Sequence, residues 1–159
     1  MNPETYILRR EEWIARPIDE VFAFFADAKN LEKITPPWLG FKILFMSTDA
    51  IEEGTTIRYR LRFHGIPIHW RTEICAWNPP HGFVDEQTRG PYKRWHHTHR
   101  FEAHGNRTKM TDEVQYSLPF GVLGRIVHAV KVRRDVARIF DYRHVQIDLL
   151  FSQPGEDVA

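Results

Sequence analysis

The chain has 159 residues, with 22 Lys and Arg against 21 Asp and Glu, for a formal net charge of +1 with histidine neutral. That balance argues against bulk electrostatic binding to nucleic acid or to an anionic membrane. The single cysteine, Cys75, excludes an internal disulfide and a cysteine-cluster zinc site.

Length and a 42% hydrophobic share fit one domain over residues 1–159, able to bury a core without staples. No apolar run approaches about 18 residues, so no membrane span is expected. Met1 to Arg10 lacks an apolar stretch and carries Arg9 and Arg10, unlike a signal peptide. The expectation is a cytoplasmic protein. Aromatic residues reach 13% (11 Phe, 5 Trp, 5 Tyr), and nine histidines accompany them. These rings either fill a core or line something within it.

Tyr6 to Ala15 reads as a strand. Pro17 suits the first turn of a short helix, where Asp19 and Glu20 complement the helix dipole, and Val21, Phe22, Phe24 and Phe25 supply its apolar side. A second short helix is expected from Asn30, as N-cap, to the stop at Thr35-Pro36-Pro37. From Leu39 the period changes to two, with Leu39–Ser47 as the next strand. Ile57, Tyr59, Leu61 and Phe63 alternate with Arg58, Arg60 and Arg62. After a two-residue turn at His64-Gly65, Ile66, Ile68, Trp70, Thr72 and Ile74 occupy one face. Closing the hairpin at Phe63 and Ile66 sets Tyr59 opposite Trp70 and makes the two apolar faces coincide.

Phe83–Thr88 is a further strand. Tyr92–Glu102 and Arg107–Leu118 form a last hairpin. From about Gly121 to Phe151 the period becomes helical, through Val122, Ile126, Val136, Ile139, Phe140, Arg143, Ile147 and Leu150. That is a helix of roughly 30 residues, about 45 Å long, in which Gly124 marks a bend or a delayed start. Residues 154–159 read as a frayed tail. The expected fold is α+β: a bent antiparallel sheet of six to seven strands, two short helices after the first strand, and one long C-terminal helix covering the apolar face.

The most informative stretch is Trp95-His96-His97-Thr98-His99-Arg100-Phe101. Alternation puts Trp95, His97, His99 and Phe101 on one face, and Met110, Asp112, Val114 and Tyr116 on one face of the partner strand. A type II′ turn at Gly105-Asn106 sets His99 opposite Asp112, His97 opposite Val114 and Trp95 opposite Tyr116. A four-residue loop would instead set His97 opposite Asp112. A carboxylate beside an imidazole fixes its tautomer and raises its pKa, which suits proton transfer or ligand binding. The alternative is a satisfied polar pair in a large core. His97, His99 and Asp112 also have donor types for a metal, but two strand residues two apart do not form a typical ligand spacing, and no metal or other cofactor is expected. Whether Asp85 and Gln87 share the inner face is open, because the Pro-containing loop before Phe83 leaves the register undetermined. Arg58, Arg60, Arg62 and Arg71, and Lys131 to Arg134, read as solvated charge. Cys75 reads as an inert thiol.

The run Arg16-Pro17-Ile18-Asp19-Glu20-Val21-Phe22-Ala23-Phe24-Phe25-Ala26-Asp27, followed by Asn30-Leu31-Glu32-Lys33-Ile34-Thr35-Pro36, resembles the START-like SRPBCC superfamily. That superfamily includes polyketide cyclase/dehydrase-like proteins, lipid-transfer domains and pollen-allergen-like proteins. Trp95-x-His97-x-His99-x-Phe101, Thr111-Asp112-x-Val114-x-Tyr116 and Pro119-Phe120-Gly121 resemble a bacterial ligand-binding subgroup of it, sometimes fused to epimerase-like domains. The resemblance implies a helix-grip fold, with the sheet wrapped around the C-terminal helix over a deep cavity, and a hydrophobic small-molecule ligand. It brings no catalytic set with it.

Two functions follow as expectations. In the first, the protein binds a lipid, polyketide or aromatic-like molecule. Tyr59, Trp70, Trp95, Val114 and Tyr116 form walls, and His97, His99, Asp112 and Gln87 act as polar anchors. In the second, a cyclase, dehydratase or hydrolase uses His99 or His97 as general base, Asp112 to orient it and Tyr116 as donor to a developing enolate. A shallow or filled cavity would instead point to a protein-interaction role. No nucleic-acid partner is expected, and a homodimer is left open.

Overall fold

The computed structural model describes residues 4–152, so the expected tail at 154–159 lies outside the described residues. Seven antiparallel strands run β1 (Tyr6–Ile14), β2 (Lys42–Met46), β3 (Thr56–Phe63), β4 (Ile66–Asn78), β5 (Gly82–Arg89), β6 (Arg94–His104) and β7 (Arg107–Ser117). They form one sheet in the order β1-β7-β6-β5-β4-β3-β2. Every sequential neighbour from β2 to β7 pairs, and β1 closes onto β7. The first and second strands therefore lie on opposite edges, and the helical segment between them crosses the whole sheet.

That segment is α1 (Ile18–Ala26), then 3₁₀ turns at Ala28–Glu32 and Pro37–Leu39. The second helix differs from the expectation. It is a 3₁₀ turn capped by Asp27, whose side chain accepts from Lys29 N. Asn30 instead donates from Nδ2 to the Phe24 carbonyl and closes the end of α1. A short polar side chain that reaches an orphan carbonyl does as much for a helix end as an N-cap does for a start.

Both hairpin registers agree with the reading from alternation. Phe63 faces Ile66 and Tyr59 faces Trp70. His99 faces Asp112, His97 faces Val114 and Trp95 faces Tyr116. Gly105 has a φ of +62°, as a glycine-first type II′ turn requires.

The C-terminal helix is continuous but not uniform: α2 (Gly121–Val127), one π-helical turn (His128–Val132) and α3 (Arg133–Ser152). Among the expected stripe, Val136, Phe140, Arg143 and Ile147 are buried. Gly124 lies inside α2, so the helix start is not delayed to it. A Cβ there would stand 2.3 Å from the Pro119 carbonyl oxygen, so glycine lets α2 pack on the chain that leads into it. The sheet face under α1 and the end of α3 is a fully apolar core of Ile14, Val21, Phe22, Phe25, Phe101, Met110 and Ile147. Nearer the start of α3, Val114 and Tyr116 pack against Val136 and Phe140.

Candidate functional site in the sheet–helix cavity

Between the concave sheet face, the α1/3₁₀ segment and α3 lies a cavity of about 180 Å³. Leu61, Trp70, Tyr92 and Trp95 wall one side, Phe24, Phe25 and Leu31 another, and Ile139 and Phe140 the helix side. The aromatic wall is tightly interlocked. Trp70 stacks on Tyr59 (5.9 Å between centroids) and meets Trp95 edge-on at 5.4 Å.

The lining is mostly apolar; Asp27, Asn30 and Thr35 border it from the helical segment, and Asp85, His97, His99 and Arg143 converge on it from β5, β6 and α3. Their elements explain the convergence. Asp85 on β5 faces His97 across the ladder to β6, and His99 faces Asp112 on β7. Three adjacent strands thus deliver four polar groups to one patch, and α3 adds Arg143 from above. His97 donates from Nε2 to Asp112 Oδ1 at 2.9 Å. His99 donates from Nε2 to Asp85 Oδ2 at 2.9 Å. Thr72 donates to Asp85 Oδ1 at 3.3 Å and to the Glu86 carbonyl at 2.9 Å. Arg143 Nη1 lies 3.9 Å from Asp112 Oδ2. The two imidazoles nearly stack, 3.7 Å between centroids, and Phe83 stacks on the far face of His99 at 4.2 Å.

Burial is the largest influence on every group in this cluster, and the partners decide the outcome. For Asp112 burial works against ionisation, but His97, His99 and Arg143 outweigh it and hold the carboxyl well below the usual carboxylate range. Asp85 is lowered in the same way against burial, chiefly by His99 and His97. His99 is pulled down by burial, yet Asp112 and Asp85 raise it overall. His97 is lowered by burial and by the neighbouring His99 charge, against the pull of the carboxylates. The direction of these shifts favours two carboxylates, one imidazolium (His99) and one neutral imidazole (His97), beside the Arg143 guanidinium. Positive and negative charge balance, as a buried ionic group demands. An ionised carboxylate only accepts, so the single proton of neutral His97 sits on Nε2 and its Nδ1 is the lone-pair nitrogen.

Two polar atoms remain unused. The Trp70 indole Nε1 is buried without a partner, and so is His99 Nδ1. The latter lies 2.9 Å from Asp112 Oδ1 but off the direction a hydrogen bond needs.

Of the residues singled out by sequence, Tyr59, Trp70, Trp95, His97 and His99 line this cavity, and Asp85 does so too. Four do not. Asp112 stands behind the histidines and reaches the cavity only through them. Val114 is fully buried under Val136 and Phe140. Tyr116 gives its hydroxyl to His128 at 2.9 Å, in a ring cluster with Tyr6. The physical reason is shared: α3 crosses over β1 and β7, so the inner face of β7 packs against helix, and the hollow opens over β3 to β6. Gln87 is spent on the chain itself. It donates to the Tyr92 carbonyl at 2.7 Å and accepts from Tyr92 N at 3.3 Å, clamping the β5–β6 turn. The expected roles of Val114 and Tyr116 as walls, of Tyr116 as enolate donor and of Gln87 as ligand anchor are therefore corrected. Arg143 and Tyr92 are the lining residues that sequence reasoning passes over. A signal for Arg143 exists: it is the one cation on the buried stripe Val136-Phe140-Arg143-Ile147.

His97, His99 and Asp85 also bring nitrogen and oxygen donors within 4.8 Å of one another, as a metal site would. Within this trio His99 Nε2 is hydrogen-bonded to Asp85 Oδ2.

Comparison with known proteins places this geometry. Residues 14–140 match the family described as polyketide cyclase / dehydrase and lipid transport. No curated protein sequence matches. Among solved structures, norcoclaurine synthase of Thalictrum flavum superposes with a TM-score of 0.70 at 14% identity, over 96% of this chain and 99% of that one. The ZhuI aromatase/cyclase of Streptomyces sp. R1128 gives a TM-score of 0.65 at 16% identity, over 92% and 96%. TTHA0849 of Thermus thermophilus gives 0.63 at 19% identity, over 91% and 99%. These likenesses concern the helix-grip fold. The family match covers most of the sequence, and the chain belongs to the polyketide cyclase / dehydrase and lipid transport family.

Proposed function

We propose that the protein binds a small apolar molecule carrying one carbonyl or carboxylate oxygen, in the cavity between sheet and α3. Family membership supports a ligand-binding or cyclase-type role in general terms. The observation that supports the finer reading is a mostly apolar hollow on which Asp85, His97, His99 and Arg143 converge. The charged cluster gives the ligand a direction, with its polar end toward His97, His99 and Arg143. A cavity of about 180 Å³ is only slightly larger than the roughly 150 Å³ hollow that accepts benzene in an engineered core. The ligand is therefore of one- or two-ring size rather than a long acyl chain. Native mass spectrometry of protein purified from its own host tests this. A co-purified mass of about one or two rings is expected. A full-length lipid in its place would overturn the size argument.

A second reading, proton transfer, is favoured by the state of His97. Burial lowers its pKa and so favours the neutral form, Asp112 meets its Nε2, and it borders the cavity. A neutral imidazole held by a carboxylate is the arrangement of a general base. In this reading His97 removes a proton beside the ligand carbonyl, and Arg143 stabilises the oxygen as charge develops. Exchange of that proton for deuterium in heavy water, followed by NMR on a bound ketone, should require His97. Exchange that persists in His97→Gln removes this reading and leaves binding intact.

A further inference from the structure

The C-terminal helix begins with an apolar surface that nothing in the fold covers. Phe120 is 81% exposed, Leu123 62% and Val130 68%, and Val122, Ile126 and Val127 are exposed as well. Six large apolar side chains within eleven residues is far more than the scattered exposure normal for a soluble surface. Their spacing is ordered. Val122, Leu123, Ile126, Val127 and Val130 follow the i, i+1, i+4, i+5, i+8 pattern of one helix face. Gly124 and His128 lie on the opposite face and are buried against the sheet. The apolar face thus points away from the body.

Charge is ordered too. Between Phe120 and Arg134 there are four cations, Arg125, Lys131, Arg133 and Arg134, and no acid. The first acid that follows, Asp135, is occupied by His64 at 3.0 Å. At about 100° per residue, Arg125 and Lys131 flank the apolar arc on its two sides. The net charge of +1 conceals this concentration, because the rest of the chain is net negative.

The surface also connects inward. A furrow of about 400 Å³ lies against it, lined by Pro119, Phe120, Leu123 and Val127 together with Phe63 and Tyr92. Phe63 and Tyr92 line the sheet–helix cavity as well. The furrow and the cavity thus share these two residues as a common wall.

We propose that α2 and the π-helical turn dock the protein on an anionic lipid surface, with the Val122–Leu123–Ile126–Val130 face in the acyl boundary and the flanking cations at the headgroups. An apolar face bordered by Lys and Arg is the pattern of an interfacial helix. A second copy is a poorer occupant, because a two-fold contact on this face would set four cations against four. The docking face stands whether or not the cavity reading is right, and the shared lining would make the bilayer the route for an apolar ligand.

The test is co-sedimentation of the full chain with phosphatidylcholine vesicles, with and without phosphatidylglycerol. Binding to the anionic vesicles alone is expected. Leu123→Glu/Ile126→Glu should abolish it, and Arg125→Glu/Lys131→Glu should weaken it roughly tenfold or more. All four positions are exposed, and an unchanged circular dichroism spectrum confirms that each variant folds. Trp95→Ala should leave vesicle binding intact, which separates failure of this proposal from failure of the cavity reading. Three results overturn it: no sedimentation with either vesicle; binding to polyglutamate but not to vesicles, which assigns the surface to an acidic protein; or a dimer that Leu123→Glu/Ile126→Glu converts to monomer, which assigns it to a second copy.

Discussion

Asp112 takes its hydrogen bond from His97, its diagonal neighbour, and not from His99, the residue directly opposite it in the ladder. His99 has reached past it to Asp85 on β5. The two imidazoles are thereby crossed between two carboxylates on either side of β6, and each histidine is oriented by a residue from a different strand. The two shifts run in opposite directions, His99 raised by its carboxylates against burial and His97 lowered by burial and by His99.

Removing Asp112 should therefore cost more than one hydrogen bond. Asp112→Asn keeps the shape but leaves His99 and Arg143 short of negative charge in a buried site. Breaking a buried charged pair on one side typically costs about 3–5 kcal/mol. Urea denaturation of Asp112→Asn should show a loss of about that size at pH 7. The acid limb should change as well. A carboxyl held below its ordinary value stabilises the fold above that value, and this stability is lost as pH falls through the depressed pKa. Below about pH 4 the variant's denaturation midpoint should depend less on pH than the wild type's.

The histidines should titrate in opposite directions from the usual value. His99 is raised, so its contribution to stability is complete below about pH 6.5 and fades as pH rises through its higher folded pKa. His97 is lowered, so its contribution is complete above about pH 6.5 and fades as pH falls. Histidine ring resonances followed by NMR should show His99 losing its proton at higher pH than His97. Arg143→Met should then raise the His97 midpoint, because the cluster loses one of its two cations and takes up a proton in exchange. An unchanged His97 midpoint in Arg143→Met would remove Arg143 from the charge balance.

Gly82 sets the distance between β5 and β6 beside the cluster. A Cβ at this position would stand 2.2 Å from the His99 carbonyl oxygen, a backbone atom that cannot swing aside. Gly82→Ala should separate the strands that carry Asp85 and His99. A destabilisation of about 2 kcal/mol or more is expected by urea denaturation, as for other overpacked sites. The His99 midpoint should move toward its ordinary value as the contact to Asp85 lengthens.

Much of this is legible from the order of residues. Period-two alternation with a two-residue turn determines the register that sets Tyr59 against Trp70, and it narrows the last hairpin to two registers, of which the structure has the one with His99 against Asp112. What alternation does not carry is which part of the inner face is hollow. Val114 and Tyr116 share a face with Asp112, but α3 lies on them, and the crossing of helix over sheet is a tertiary event without a local signal. Gln87 escapes the sequence reading because a turn five residues away claims its amide. Arg143 is visible as a cation on an apolar stripe. Its meaning depends on Asp112, brought against it only by folding. The basic residues from Lys131 to Arg134 read as solvated charge, and only the exposure of Leu123, Ile126 and Val130 beside them gives that charge a further use.

If the hollow between sheet and helix holds a ring-sized apolar ligand, titration with an apolar fluorescent probe tests it most directly, comparing wild type with Trp95→Ala and the cavity-filling Ile139→Trp. Ile139 lines the hollow from α3, and an indole there would occupy much of it. Saturable one-to-one binding is expected for the wild type, weakened in Trp95→Ala and abolished in a folded Ile139→Trp. Equal binding by Ile139→Trp, or no binding by the wild type, would contradict a ligand in this cavity.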